Sequence, residues 1–200
     1  MTDVLQPSTR INLEKATVLV LDDNGPSLDI LSQVVSGFGV NQLHRADSVK
    51  DAQGLIKTKT FDLVISDVQM PDVDGIEFIN WLRREGPETN RYVPVILVTG
   101  HTRSTDIFRT RDAGANFTVA KPITPKVLLE RIFWVAREER AFIECDSFVG
   151  PDRRFRHEGP PVGMDGRRRD DLAGDVGLAQ EANMSQEEIN NLMKVAKVQL

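Results

Sequence analysis

The chain predicts a doubly wound α/β domain of five strand–helix units, followed by an extended C-terminal tail and a terminal helix. Three observations carry that reading. Short apolar runs alternate with longer amphipathic stretches, the pattern of parallel strands joined by crossover helices. Polar residues stand just past four of those runs: Asp22-Asp23 after Val18-Leu19-Val20-Leu21, Asp67 after Leu63-Val64-Ile65-Ser66, Thr99 after Val95-Ile96-Leu97-Val98, and Lys121-Pro122 after Phe117-Thr118-Val119-Ala120. From about Arg140 the composition turns to Gly, Pro and mixed charge, which suits an extended segment.

Residues 1–15 read as a polar lead and 16–140 as the folded domain. The first strand covers about 17–21, and its helix opens near Pro26, a good first-turn residue, and ends before Gly37 or Gly39. A weaker second strand at about 41–45 contains His44. The second helix starts after Ser48, a plausible cap, and runs to about Lys57. The third strand is about 61–66. The third helix follows Gly75, places Ile76, Ile79 and Leu82 on one face, and fails by Gly86-Pro87. The fourth strand is about 93–98 and its helix about 104–113, closed by Gly114. The fifth strand is about 117–120, and its helix opens at Thr124-Pro125 and runs to about Glu139. Five such units make one doubly wound domain.

In a sheet of this kind the ligand crevice lies at the carboxyl ends of the strands. Three acids, a hydroxyl and an ammonium would therefore meet there. Crowded carboxylates repel one another unless a hard cation joins them, and Mg²⁺ takes such oxygen ligands. One carboxylate can act as a nucleophile and form an aspartyl phosphate while a metal neutralises the transferred oxygens. Lys121 could pair with a phosphate oxygen and Thr99 could donate to another. Such transfer needs mostly positioning and charge neutralisation.

Leu21-Asp22-Asp23, Asp67-Val68-Gln69-Met70-Pro71 with Asp74-Gly75, Val98-Thr99-Gly100, Ala113-Gly114-Ala115 and Lys121-Pro122 together resemble the CheY-like receiver domain of two-component response regulators. The resemblance covers about residues 16–140. It implies a flavodoxin-like sheet of order 2-1-3-4-5, with Asp67 as phosphoacceptor. Asp22, Asp23, Asp67 and the backbone carbonyl of Gln69 would hold Mg²⁺, and Thr99 and Lys121 would bind the phosphoryl group. It also implies a cis bond before Pro122 and a phosphoryl donor that is a sensor histidine kinase or histidine phosphotransfer protein. The role is signalling rather than turnover of a substrate, with protein–protein output through the fourth helix, fifth strand and fifth helix.

The chain departs from that family at the position three residues before Lys121. Receivers usually carry Tyr or Phe there, an aromatic that swings inward when the Thr hydroxyl engages the phosphoryl group. Here the residue is Thr118, preceded by Phe117. Either Phe117 substitutes through a local shift of the strand, or the output face switches differently; the plainer reading leaves Phe117 exposed or covered by the tail. Gln69 and His101, two residues after Asp67 and Thr99, stand where the family tunes the approach of water to the phosphoryl group. Arg109 and Arg111 read as a solvated helix face or a basic patch toward a partner.

A haloacid-dehalogenase-like phosphohydrolase also uses a strand-end Asp and Mg²⁺, but it wants a second Asp where Gln69 stands. A second alternative is a phosphorylation-independent scaffold, or a nucleotide-binding receiver working through the Arg-rich tail.

Composition sets further bounds. Two hundred residues with 40% hydrophobic content suffice for one core plus an appendage. A single cysteine, Cys145, excludes a disulfide framework and suits a reducing compartment. No apolar run approaches the roughly 20 residues of a membrane span, and residues 1–7 lack a signal-peptide layout. The net charge of −5 argues against a general nucleic-acid binder. About sixty residues after the fifth helix hold no second core and no helix-turn-helix pair. A cytoplasmic protein without DNA binding is expected.

Residues 141–183 read as an extended linker with two basic clusters, Arg153-Arg154 and Arg167-Arg168-Arg169. Arg clusters grip phosphates or acidic partners, although Asp152, Asp165, Asp170 and Asp171 partly cancel them. The linker is similar to the Gly-Pro-Asp-Arg-Arg tails that follow some stand-alone receivers. Residues 184–200 read as an amphipathic helix. Ser185-Gln186-Glu187-Glu188 matches a capping box, and Ile189, Leu192, Met193 and Ala196 form an apolar stripe. Ser185 to Met193 is similar to the N-terminal segment of the flagellar switch protein FliM, a docking site for CheY-like receivers. Both views suggest a helix that binds a receiver surface, its own or another's; a different protein partner or a dimer contact is the alternative.

Overall fold

The apolar runs become a five-stranded parallel sheet in the computed structural model, which describes residues 13–100, 103–137, 141–145, 148–152 and 185–186. The strands are β1 (Thr17–Leu21), β2 (Gln42–Ala46), β3 (Leu63–Asp67), β4 (Val95–Thr99) and β5 (Phe117–Ala120), in the order β2-β1-β3-β4-β5. Every neighbouring pair is parallel. The central strands are covered on both faces, so their sequences are continuous apolar runs rather than alternating ones. β2 lies at an edge, which explains the polar Gln42-Leu43-His44-Arg45.

Five helices cover the sheet: the crossovers α1 (Gly25–Gly37), α2 (Val49–Thr58), α3 (Gly75–Arg84) and α5 (Ser104–Asp112), and α6 (Pro125–Ala136) after the last strand, with a short α4 (Glu88–Arg91) after α3. The local reasons are legible. Asn24, Ser48, Asp74 and Thr124 cap their helices with side-chain oxygens, and Asp74 and Glu77 complete a reciprocal capping box. Pro26 and Pro125 occupy first-turn positions. Leu28, Leu31 and Val35 of α1 and Leu128, Ile132 and Val135 of α6 pack on Val18, Val20, Ile65, Ile96 and Val119. Ala52, Ile56, Ile79 and Leu82 of α2 and α3 pack on Leu19, Leu21, Val64 and Leu97 from the other face. Each fully buried aliphatic side chain contributes about 1.5–3 kcal/mol.

Two parts differ from the sequence reading. Gly86-Pro87 does end α3, but a further turn follows at once. It places Asn90, fully buried, where its amide accepts from Phe61 N at 2.9 Å and donates to the Ile56 and Lys59 carbonyls at 2.8 and 2.6 Å.

The second difference corrects the start of the linker. Two stretches of it are strands rather than extended linker: β6 (Phe142–Cys145) and β7 (Phe148–Pro151) pair antiparallel. Contacts with the domain explain why so short a ribbon forms. A Cβ on Gly150 would lie 2.7 Å from Gly114 Cα, and one on Gly114, at φ +97°, would lie 2.5 Å from Val149 O. Only two glycines allow the backbones to approach so closely. Arg83, 1% exposed, donates from Nε and Nη2 to Gly114 O and from Nη1 to Arg91 O, and its guanidinium lies 5.0 Å from the Phe142 ring. Burial pushes that guanidinium down to about 9, so it remains charged at neutral pH. Arg153, Arg154, Arg167, Arg168 and Arg169, and Ile189, Leu192 and Met193 of the expected terminal helix, lie outside the described residues.

Candidate functional site

Asp22, Asp67, Thr99 and Lys121 meet at the carboxyl edge of the sheet because each ends, or directly follows, a parallel strand. Carboxylate oxygens of Asp22, Asp23 and Asp67 all lie within 4.8 Å of one another. Asp22 and Asp67 are buried and Asp23 is exposed. Lys121 Nζ bridges the buried pair, 3.0 Å from Asp67 Oδ2 and 3.3 Å from Asp22 Oδ2. The Lys121–Pro122 peptide is cis. Lys121 N donates to Thr99 O at 2.7 Å, which ties the two strand ends together.

The acids are oriented as well as gathered. Asp22 accepts from Asn24 N at 2.9 Å and from Ser27 Oγ at 2.5 Å. Asp67 Oδ1 accepts from Val68 N at 2.9 Å. Burial raises the Asp67 carboxyl above its ordinary range; Lys121 opposes this and Asp22 adds to it. Burial also works against the Lys121 ammonium, but its hydrogen bond and attraction to Asp67, with Asp22 behind, raise it overall. Two buried carboxylates thus share one ammonium, and negative charge is in excess. Three hard oxygen donors with a charge surplus fit a small divalent cation.

A cleft of about 580 Å³ opens beside these groups, lined among others by Asp23, Gln69, Met70, Thr99, Asp106 and Arg109. Gln69 is exposed there, and His101 lies outside the described residues. Arg109, expected only to be solvated or to face a partner, reaches this rim, whereas Arg111 pairs with Asp112 and lies 4.8 Å from the Phe108 ring.

Phe117 is buried rather than exposed. It is 1% exposed beneath α6, its ring edge-on to Trp134 at 5.1 Å and 4.7 Å from the Arg131 guanidinium. Successive strand residues face opposite sides, so Thr118 points the other way, toward Thr110 of α5. Sequence reasoning also missed Ser27, whose signal was its position in the first turn of the helix after the acid pair, and Gln186, which bonds the β5 backbone.

The response regulator receiver domain profile matches residues 18–133, more than half of the chain, and the chain belongs to that family. It is 28% identical to the chemotaxis protein CheY-3 of Vibrio cholerae over 115 residues, 58% of this chain and 87% of that protein. It is 29% identical to the polar-differentiation response regulator DivK of Brucella ovis over 116 residues, 58% of this chain and 92% of that one. Among solved structures, CheY4 of Vibrio cholerae superposes with a TM-score of 0.56 at 27% identity, covering 60% of this chain and 98% of its own. The receiver domain of the histidine kinase CKI1 from Arabidopsis thaliana, complexed with Mg²⁺ and BeF₃⁻, gives 0.54 at 27% identity, covering 63% and 93%. Receiver domains are signalling modules rather than typical enzymes. No helix among the described residues is long and apolar enough to cross a membrane.

Proposed function

We propose that this chain is a phosphorylation-controlled response regulator in which Asp67 is the phosphoacceptor. One observation carries the reading: the Asp67 carboxylate ends β3 within 4.8 Å of the Asp22 and Asp23 oxygens and 3.0 Å from Lys121 Nζ. A carboxylate oxygen of Asp67 attacks the phosphorus of a phosphohistidine, the N–P bond breaks, and the imidazole leaves. The donor is a sensor histidine kinase or a histidine phosphotransfer protein.

Asp22, Asp23, Asp67 and the Gln69 carbonyl would hold Mg²⁺, which would supply charge neutralisation for the transferred oxygens. The complex of the CKI1 receiver with Mg²⁺ and BeF₃⁻ supports that assignment by likeness. Lys121 exchanges its Asp67 partner for a phosphoryl oxygen, and the Thr99 hydroxyl donates to another. Ser27 and Asn24 keep Asp22 aimed throughout. Output is by protein contacts in the cytoplasm, through α5, β5 and α6.

The test is incubation with a small-molecule phosphodonor such as acetyl phosphate, read by intact mass. Asp67→Asn and chelation of Mg²⁺ each abolish the added phosphoryl mass. Retention of that mass in Asp67→Asn would sink the assignment.

A further inference from the structure

Among the described residues β5 is an edge strand, with β4 on one side only. Edge strands carry unpaired N–H and C=O groups along their outer side and recruit whatever can pair with them. Here one side chain takes two of those groups. Ala120 N donates to Gln186 Oε1 at 2.6 Å, and Gln186 Nε2 donates to Thr118 O at 3.3 Å. In a parallel ladder, a residue opposite Val119 would accept from the N–H of 120 and donate to the carbonyl of 118. The Gln186 amide offers the same acceptor and donor to the same two groups. It stands in for one residue of a sixth strand.

We propose that the outer edge of β5 is a docking surface for this chain's own segment beginning at Ser185, held by Gln186, and that docking opposes phosphorylation. The second half rests on the phosphoacceptor reading of Asp67. Ala120 directly precedes Lys121, whose backbone N–H is tied to Thr99 O and whose ammonium pairs with Asp67. Gln186 thus grips β5 one residue from the group that must change partner when Asp67 is modified. The grip coexists with the unmodified pairing of Lys121 and Asp67. A contact that favours this arrangement must weaken, and be weakened by, whatever favours the other one, by the same factor. Gln186 also opens a segment whose sequence shows a capping box and an apolar stripe, features suited to covering a surface.

The experiment uses the full-length protein and its Gln186→Ala variant with Mg²⁺, with and without beryllofluoride, an analogue of the phosphoryl group. Amide hydrogen exchange at Ala120 is followed by NMR. Without beryllofluoride, Ala120 exchanges on the order of tenfold faster or more in Gln186→Ala than in the parent. Saturating beryllofluoride accelerates Ala120 in the parent in the same sense. Half-saturation by beryllofluoride falls about fivefold or more in the variant. Equal Ala120 exchange in the two proteins overturns the docking. Protection that fades on dilution assigns the occupant to a second copy and overturns docking by the chain's own segment. Shifts at Asp67, Thr99 and Lys121 with Ala120 still protected overturn the coupling while leaving the phosphoacceptor reading intact. Absence of those shifts in both proteins fails the phosphoacceptor reading and the coupling with it, whereas the exchange comparison still decides the docking.

Discussion

Thr110 Oγ1 and Thr118 Oγ1 lie 2.8 Å apart with both side chains buried, a hydroxyl pair that fastens α5 to β5. The hydroxyl of Thr110 also bonds Ile107 O at 2.8 Å, so the contact continues into the helix backbone. Receivers usually place an aromatic ring at the position of Thr118. Thr118→Val should cost about 1 kcal/mol by removing the bond while keeping the volume. Thr118→Tyr should cost about 1–3 kcal/mol through overpacking beneath α5. Urea unfolding measures both; a neutral Tyr variant would show that α5 yields at no cost.

The Asp67 carboxyl fixes a sign for pH dependence. Its pKa is raised in the folded protein, by burial foremost, above an ordinary value of 3.8. Its contribution to stability is complete below the unfolded value and is lost as pH rises through the folded one. In chelator, Asp67→Asn should therefore gain stability relative to the parent as pH goes from about 4 to 7. Adding Mg²⁺ should reverse part of that gap, since ligand binding favours the folded parent. A stability difference that stays constant or moves toward the parent between pH 4 and 7 in chelator would contradict the balance of charges described.

Asn90 ties α4 to three backbone groups of residues 56–61 with one amide. Asn90→Ala leaves Phe61 N and the Ile56 and Lys59 carbonyls to find new partners in a buried place. A loss of about 2–4 kcal/mol is expected, readable as a lower urea midpoint at unchanged slope. A loss below about 1 kcal/mol would mean that water replaces the amide without strain.

Gly75 lets the start of α3 lie against the end of β3. A Cβ there would lie 2.1 Å from Asp67 O, and Gly75 N donates to Val68 O at 2.9 Å. Gly75→Ala should cost about 1–3 kcal/mol and should slow phosphoryl uptake from acetyl phosphate more than Gly54→Ala, where a Cβ meets nothing within 4 Å. Equal uptake in the two variants would separate α3 placement from the chemistry.

Strand-end chemistry was readable because it obeys a rule of topology. Asp67, Thr99 and Lys121 terminate or follow apolar runs, and parallel pairing alone brings such residues together. Caps were readable for a similar reason, since Ser48 and Thr124 act within three residues of themselves. What escaped depends on contacts remote in sequence. Nothing local marks Asn90 as the partner of Phe61, and Phe142–Cys145 and Phe148–Pro151 look like loop because Gly150 and Pro151 weaken a strand signal. Those strands form where Gly114 and Arg83 receive them. Phe117 and Thr118 could be assigned faces only after α6 and α5 were in place.

The ribbon β6–β7 has a consequence for the segment that follows it. Asp152, the residue directly after the ribbon, is fixed by a bond from its N–H to Ala141 O at 2.8 Å, and Gln186 is held at β5. Residues 153–184 therefore join two points on one body. Tethering of this kind replaces bulk concentration by a local one, on the order of millimolar for a flexible connection. A contact too feeble to form between separate molecules can then be mostly made, and still let go when a modest competing interaction appears. The reach and stiffness of those thirty-two residues, together with the strength of the Gln186 bonds, would set how readily the edge of β5 is vacated.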